Sequence, residues 1–359
     1  MKQCSHCLLT EAYPGLTFDA NGQCSLCAHQ KVFEPYGEDK LLQIFDSCKK
    51  KSKGKYDALV PLSGGKDSTY ILYLATQKYH LRVLAMTFDN GFVSQIAADN
   101  MQRALHKTNT EMITVKPDTQ LLKKIYKTTL LSSGDICGAC GIAIRANMYK
   151  VAADHKIPMI LLGNSPLEED SFLPDTTQDV QRFRHIMLES GNTSRQELKV
   201  FLVYPHLNFF KLSLGKLLGL YPKEICPLFY IHNPSDKEMG EIIKQEMDWQ
   251  ENTSSEYSKH FDCVVEPFTN YVRQHIYGYE RRICQYSTMI RRNEISREKA
   301  LEMYAADHIT EKPANYDEVL ALLDLTEQDM EKVLQCKPLA YEKYVSKANK
   351  LYSRLRKKK

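Results

Sequence analysis

The sequence predicts an α/β fold, a doubly wound parallel sheet with a small cysteine-rich module before it and a helical domain behind it. Three observations predict it. Two Cys-x2-Cys pairs fall within the first 30 residues. From Tyr56 onward, short apolar strands alternate with amphipathic helices. After about residue 240 only helical patterns remain.

The 359 residues are 43% apolar and 26% charged, which excludes a mainly disordered or collagen-like chain. A formal charge of +4 does not by itself single out nucleic acid as a partner. Apolar runs such as Ile157–Gly163 are too short to cross a bilayer, and Met1-Lys2-Gln3-Cys4 does not open a signal peptide. A cytoplasmic protein without a membrane partner is expected. Its 11 cysteines then point away from a disulfide scaffold and toward metal, redox or sulfur chemistry.

Residues 1–30 hold Cys4-x2-Cys7 and Cys24-x2-Cys27, separated by the turn residues Pro14, Gly15, Asn21 and Gly22. Two thiolates on one tight turn make half a tetrahedron, and a second knuckle completes it, so the four read as a structural zinc ribbon. Residues 31–54 read as a helical linker, with Leu41, Leu42, Ile44 and Phe45 apolar and the Lys49–Lys53 run solvated. Residues 55–240 form the α/β domain. Strands are expected at Ala58–Leu62, Arg82–Phe88, Glu111–Val115 and Ile157–Leu162, and helices at Ser68–Tyr79, Gln95–Leu105 and Met148–His155. Residues 241–359 form the helical domain with a basic tail. Its helices, beginning just before that boundary, are Asp236–Gln245, Tyr257–Val264, Phe268–Tyr277, Arg297–Ala306, Asn315–Leu323 and Glu327–Cys336. Pro267 is expected to separate the second from the third. Ser296 is placed to cap the fourth, Asn315 with Glu318 the fifth, and Thr326 with Asp329 the last.

The sharpest motif is Ser63-Gly64-Gly65-Lys66-Asp67-Ser68, directly after a strand and opening a helix. Glycines let backbone N–H groups turn toward an anion, and the helix N-terminus adds partial positive charge. Lys66 adds a full charge, and Ser63 and Ser68 add hydroxyl donors. Together these groups suit a pyrophosphate. The spacing is not that of the Walker A loop. A third Cys-x2-Cys, Cys137 and Cys140, lies between the third strand and the next helix, near the sheet edge where such folds bind ligands. The residues alone leave a catalytic thiol pair, a three-cysteine iron–sulfur site, a second zinc site and two buried thiols open. Cys226 and Cys263 are the candidate third ligands. Cys48, Cys284 and Cys336 read as core or surface thiols.

The Ser63–Ser68 motif resembles the PP-loop of the ATP pyrophosphatases. That resemblance implies a nucleotide domain that splits ATP into AMP and pyrophosphate on a substrate oxygen. It assigns Ser63, Gly64, Gly65, Lys66, Asp67, Ser68 and Thr69 to the nucleotide, with Lys66 and Asp67 also catalytic and Asp67 helping to hold magnesium. Phe88-Asp89-Asn90-Gly91 would receive adenine and ribose, and Gly163-Asn164 would approach the nucleotide. Glu168, Glu169 and Asp170 either reach magnesium or form a solvated acidic turn.

Two branches are similar. Sulfur-inserting tRNA enzymes carry a CxxC after the third strand and a lone Cys beyond a segment like Pro227-Leu228…Asp236-Lys237-Glu238, which favours Cys263 over Cys226. Cys137, Cys140 and Cys263 would then be catalytic or hold a [4Fe-4S] cluster. N-acetyl sugar amidotransferases also begin with a paired-CxxC ribbon around Pro14-Gly15-x-x-Phe18-Asp19, and resemble this chain over Trp249–Tyr271 and Ile295–Leu301. No Cys is expected at position 263 in those sugar enzymes. Its presence draws the chain toward the sulfur-inserting members, including the thioamide-forming enzyme of 6-thioguanine biosynthesis.

The favoured expectation is thioamide formation on a nucleobase, nucleotide or other small molecule, with a sulfur donor such as a cysteine desulfurase as partner. The alternative uses ammonia from a partner glutaminase to turn an N-acetyl sugar into its acetamidino form. A non-enzymatic zinc-ribbon module for RNA or protein is the third reading. A small molecule is favoured over nucleic acid as substrate, and the helical domain could supply a homodimer surface.

Overall fold

A computed structural model describes residues 2–30, 33–52, 54–165, 179–202, 214–215, 217–218, 220–232, 234–251 and 261–336. Five strands form one wholly parallel sheet: β1 (Ala58–Pro61), β2 (Val83–Phe88), β3 (Glu111–Val115), β4 (Met159–Leu161) and β5 (Lys223–Ile225). Their order is β3-β2-β1-β4-β5. Ala58 of β1 is in register with Val83 on one side and Met159 on the other. The winding therefore reverses between β1 and β4, which opens a crevice at their carboxyl ends.

The helices before the sheet are α1 (Ser25–Ala28) and α2 (Glu38–Lys49). Those interleaved with it are α3 (Lys66–Tyr73, continued by a π-turn over Leu74–Lys78), α4 (Gln95–Thr108), α5 (Thr119–Ser133), α6 (Cys137–Asp154), α7 (Val180–Glu189) and α8 (Arg195–Phe201). After the sheet come α9 (Asp236–Met247), α10 (Glu266–Tyr277), α11 (Arg281–Arg291), α12 (Arg297–Asp307), α13 (Tyr316–Leu322) and α14 (Glu327–Leu334).

Side chains alternate across a strand, so each strand feeds two apolar layers. Leu59, Leu84, Met86, Phe88 and Ile160 face α5, α6 and the later α10, α13 and α14. Ala58, Val60, Ala85, Met159 and Leu161 face α2, α3, α4 and α9. The boundary expected at residue 240 falls inside α9, whose Met239, Ile243 and Met247 pack in this second layer. Ser235 opens α9 with a capping box: Glu238 N–H donates to Ser235 Oγ at 3.3 Å, and Ser235 N–H to Glu238 Oε2 at 2.7 Å.

A third core joins the two ends of the chain. Leu8, Leu9 and the four N-terminal cysteines pack with Tyr279, Ile283, Cys284, Tyr286, Met289 and Ile290 of the α11 region and with Ala300 of α12. Leu8 N–H donates to Ser287 Oγ at 3.1 Å, within the buried interface. The N-terminal segment therefore rests on an apolar partner as well as on its cysteines, a partner nearly 280 residues away in sequence.

Several local expectations change. Cys137 and Cys140 lie in the first turn of α6, which starts 11 residues before the expected Met148. The helices α5, α7, α8 and α11 and the edge strand β5 have no counterpart among the elements expected from sequence. Pro267 does not separate a pair of helices. It sits in the first turn of α10, where its missing N–H is an orphan anyway. Of the expected helix Tyr257–Val264, residues 257–260 lie outside the described residues and 261–264 are not helical. Asn315 stands at the N-cap position of α13 but its side chain does not cap the helix: Nδ2 donates to Val264 O, and Oδ1 accepts from no helix N–H. Ser296 caps α12, and Thr326 with Asp329 forms a capping box on α14, as expected. Glu168, Glu169, Asp170 and the basic tail from Lys343 lie outside the described residues.

Candidate active site

The Ser63–Ser68 loop leaves the carboxyl end of β1 and enters α3. Gly64 has φ +79°, and a Cβ there would lie 2.1 Å from Ala97 O, so only glycine fits. From behind, Trp249 Nε1 donates to Gly64 O at 3.0 Å and Asn100 Nδ2 at 3.3 Å. The amide of Asn100 is itself oriented, since its Oδ1 accepts Gln250 N–H at 2.8 Å. Within the loop, Ser63 N–H donates to Ser68 Oγ at 3.1 Å, and the Ser63 and Ser68 hydroxyls lie 3.1 Å apart. Thr69 Oγ1 donates back to Gly65 O at 2.8 Å. The loop is thus held in shape before any anion arrives.

Lys66 opens α3 with its side chain 7% exposed, and its Nζ lies 2.5 Å from Asp236 Oδ1 and 3.5 Å from Asp67 Oδ1. Asp236 is the first residue of α9, so the capping box of that helix fixes the lysine's partner. Burial pushes the Asp67 carboxyl up against the pull of Lys66, and Asp236 adds to the push. Gly163, just past β4, meets Asp67 so closely that a Cβ would lie 3.2 Å from Asp67 Cβ. The loop and Gly163 therefore share the crevice between β1 and β4.

Phe88 ends β2 and is buried, and Asp89 Oδ1 accepts Gly91 N–H at 3.2 Å in the turn that follows. Asn90 links this turn to the thiols. Its Oδ1 accepts Phe92 N–H at 2.9 Å, which turns Nδ2 toward Cys140 Sγ at 3.4 Å. Phe92 stacks on Tyr126 with ring centroids 5.0 Å apart, and the buried Tyr126 hydroxyl also faces Cys140.

Cys137 is exposed and begins the 18-residue α6. Asp135 receives the N–H groups of Cys137 at 3.2 Å and Gly138 at 2.8 Å, and buried Arg273 reaches the same carboxylate at 3.7 Å. Cys140 is half-buried, and burial pushes its thiol up to about 11. Cys263 pairs with Val93 in an isolated antiparallel bridge, with Val264 N–H donating to Phe92 O at 2.8 Å and Ser94 N–H to Asp262 O at 3.2 Å. Burial pushes the Cys263 thiol up, and both Cys137 and Cys140 add to that push. Cys140 and Cys263 border the same apolar layer. Cys226 follows the carboxyl end of β5, before the 3-10 turn at Pro227–Phe229.

Asp262, the neighbour of Cys263, was not singled out in the sequence. It hydrogen-bonds to Ser63, and its Oδ2 would lie 3.1 Å from a Cβ on Gly65. Burial pushes its carboxyl up, and Asp67 adds to this. Two adjacent residues thus reach two sites, Asp262 the phosphate loop and Cys263 the thiol pair. No sequence signal marked this, because residues 63, 93, 137 and 262 meet only in the fold.

At the other end, Cys4, Cys7, Cys24 and Cys27 are buried with their sulfurs all within 4.8 Å of one another. The N–H groups of His6, Cys7 and Cys24 donate to Cys4 Sγ at 3.2–3.4 Å, as a thiolate on a knuckle requires. These four fit a tetrahedral metal ion. Among the described residues no other group of three or more His, Cys, Asp or Glu ligand atoms is so close. Sulfurs at about 2.3 Å from one zinc would lie within about 4 Å of each other. Cys137, Cys140 and Cys263 as they stand therefore do not form a second zinc site.

Two family models match this chain. The first, for the queuosine biosynthesis protein QueC, covers residues 57–144, which include the phosphate loop and the Cys137–Cys140 pair. The second, for the C-terminal domain of LPS biosynthesis WbpG-like proteins, covers residues 235–357. The matches support the PP-loop ATP pyrophosphatase superfamily. Among curated proteins, the uncharacterized protein MJ1599 of Methanocaldococcus jannaschii is 21% identical over 165 residues, 45% of this chain. The chain spans 58% of that protein's length. Among solved structures, the U34-tRNA thiolase NcsA of Methanococcus maripaludis with its [4Fe-4S] cluster is 16% identical, with a TM-score of 0.37 over 88% of this chain and 91% of that one. The NMN synthetase of Francisella tularensis is 16% identical, with a TM-score of 0.32 over 62% of this chain and 90% of that one. Likenesses of this size bear on no step of the chemistry. Among the described residues no helix is long and apolar enough to cross a membrane.

Proposed function

We propose that this chain is an ATP-dependent enzyme that activates an amide-like carbonyl oxygen and replaces it with sulfur, forming a thioamide on a nucleobase, nucleotide or other small molecule. One observation carries the reading. What supports it is that Cys263, bridged to Val93, lies within electrostatic reach of Cys137 and Cys140, while the adjacent Asp262 touches the phosphate loop. Activation and sulfur transfer then share one crevice.

In this reading the loop amides, the Ser63, Ser68 and Thr69 hydroxyls and Lys66 hold the leaving pyrophosphate. Asp67 and Asp262 are the carboxylates beside the loop that would hold magnesium, which screens the phosphates and keeps several waters of its own. Phe88 and Asp89 border the base and ribose, with Gly163 beneath. The substrate oxygen attacks the α-phosphorus, pyrophosphate departs, and the carbon now bears AMP as a good leaving group.

Cys137, exposed at a helix N-terminus, carries the incoming sulfur as a persulfide received from a desulfurase-type donor. The terminal sulfur attacks the carbon and AMP leaves with the original oxygen. Cys140 or Cys263 then attacks Cys137 Sγ, closing a disulfide and leaving the sulfur on the product. A cellular thiol restores the pair. An iron–sulfur cluster held by Cys137, Cys140 and Cys263 would supply inorganic sulfur instead. The N-terminal four hold zinc as a structural ion.

A second reading rests on the match of residues 235–357 to the WbpG-like C-terminal domain. There ammonia from a separate glutaminase attacks the same activated carbon, converting an N-acetyl sugar to its acetamidino form. The test is the iron and acid-labile sulfide content of protein purified without oxygen, together with persulfide mapping after incubation with a cysteine desulfurase. Either a cluster or a Cys137 persulfide supports sulfur insertion. Finding neither, with ATP cleaved in the presence of ammonia and an acetamido sugar, moves the assignment to the second reading.

A further inference from the structure

A cleft lies at the opposite end of the sheet from the phosphate loop. It has a volume of about 1070 Å³ and opens between α2, the end of α6 and the starts of β4 and β5. Four lysines line it, Lys40, Lys51, Lys156 and Lys223, and none makes an ion pair among the described residues. The one acidic residue on its wall, Glu224, is already engaged in a two-pronged pair with Arg145 at 3.1 Å on each arm. Lys51 and Lys223 come from different elements, yet both bear electrostatically on the same buried thiol, Cys48, at the cleft wall. Tyr36 stands at the rim with half its surface (51%) exposed.

Four like charges in one concavity repel one another. The fold tolerates two of them locally, because Lys51 and Lys156 follow the carbonyl ends of α2 and α6, where cations are favoured. No such local reason applies to Lys223 or Lys40. A polyanion would offset this repulsion, and Tyr36, stacked on Phe229 with centroids 6.3 Å apart yet half exposed, leaves surface beside them for a base.

We infer that this cleft binds a nucleoside polyphosphate at a second site, remote from the phosphate loop, with the phosphates on Lys40, Lys51, Lys156 and Lys223 and the base on Tyr36. A single-stranded nucleic acid calls for an extended basic groove with several stacking aromatics. Here the cations line one hollow, and its size is about that of a small-molecule pocket. The site stands independently of the sulfur chemistry. It is joined to the phosphate loop through β4, whose neighbouring residues Pro158 and Gly163 lie one at each end.

The test is equilibrium binding of α,β-methylene-ATP to the full chain and to three variants, Lys66→Ala, Lys51→Glu/Lys223→Glu and Tyr36→Ala. The inference expects two sites in the parent and one in Lys66→Ala. In the double lysine variant the cleft site should weaken by at least about tenfold while ATP–pyrophosphate exchange at the loop is unchanged. Tyr36→Ala should weaken nucleotide at the cleft but leave inorganic triphosphate unaffected. A single site lost in Lys66→Ala, or cleft binding indifferent to the double lysine change, overturns the inference. So does a labelled RNA of about ten nucleotides that binds the cleft more tightly than the nucleotide does. Loss of exchange with the cleft site intact would instead count against the proposed function alone.

Discussion

Lys66 Nζ lies 2.5 Å from Asp236 Oδ1, so the cation of the phosphate loop is held by the first residue of a helix 170 positions later. Lys66 is the only full positive charge within the Ser63–Ser68 loop. Lys66→Ala is expected to reduce ATP–pyrophosphate exchange by at least about 100-fold while leaving the unfolding midpoint near that of the parent. Exchange that survives the change would show that the loop is not the phosphate site.

Gly64 carries a different kind of constraint. A methyl group there must accept φ +79° and a backbone oxygen at 2.1 Å. Gly64→Ala should destabilise the fold by about 2–4 kcal/mol, measured by urea unfolding, through left-handed strain and displacement of α4. A change below about 0.5 kcal/mol would mean that α4 moves away at little cost.

Cys263→Ser separates the nitrogen and sulfur readings. With sulfur insertion, thioamide formation or cluster content should fall to background while exchange persists, because the hydroxyl leaves Asp262 in place. With ammonia transfer, amidination should continue within about threefold of the parent.

Glu280 gives a pH signature. It is buried at the start of α11, and burial pushes its carboxyl up to about 7, with Arg282 opposing. The native state then holds this proton between about pH 4.5 and 7 where the unfolded state has lost it, so stability falls as pH rises through that window. The loss attributable to this group is on the order of 3 kcal/mol. Chemical denaturation at pH 5 and pH 7.5 should show the slope, and Glu280→Gln should flatten it.

Removal of metal from the N-terminal cysteines should be felt at α11 and α12, which share their core. Hydrogen exchange in the presence of a strong chelator is expected to accelerate over Tyr279–Ala300 and to leave β1 and β2 protected. Acceleration confined to residues 2–30 would show that the shared core holds without the ion.

The features legible in the sequence were the local ones. The Ser63–Ser68 motif carries its strand, turn and helix within a dozen residues, and the two N-terminal knuckles carry their own geometry. The strands β1 and β2 are nearly continuous apolar runs, as central strands covered on both faces demand. By contrast, β5 is three residues long and begins Lys223-Glu224, because an edge strand needs little apolar content. Gly138 and Gly141 made the start of α6 read as a loop. The polar opening of α11, Arg281-Arg282, concealed a helix buried against the ribbon, since Arg282 is neutralised by Glu266 at 2.9 Å. Tyr126 and Asp262 had no signal, and the contacts of Asn90 with Cys140 and of Asp236 with Lys66 were not foreseen, because each acquires its partner only when distant segments meet.

The core shared by Leu8, Leu9 and the α11–α12 region also bears on how the chain is made. The ribbon is synthesised well before α11 and α12, and its four thiols can capture an ion within 30 residues. Its apolar side has no cover until Tyr279 through Ala300 have been synthesised. At about 5–20 residues per second, that leaves this surface bare for roughly 15 to 60 seconds. The ribbon is thus finished only long after its own synthesis, and during that interval it is a natural client for a chaperone.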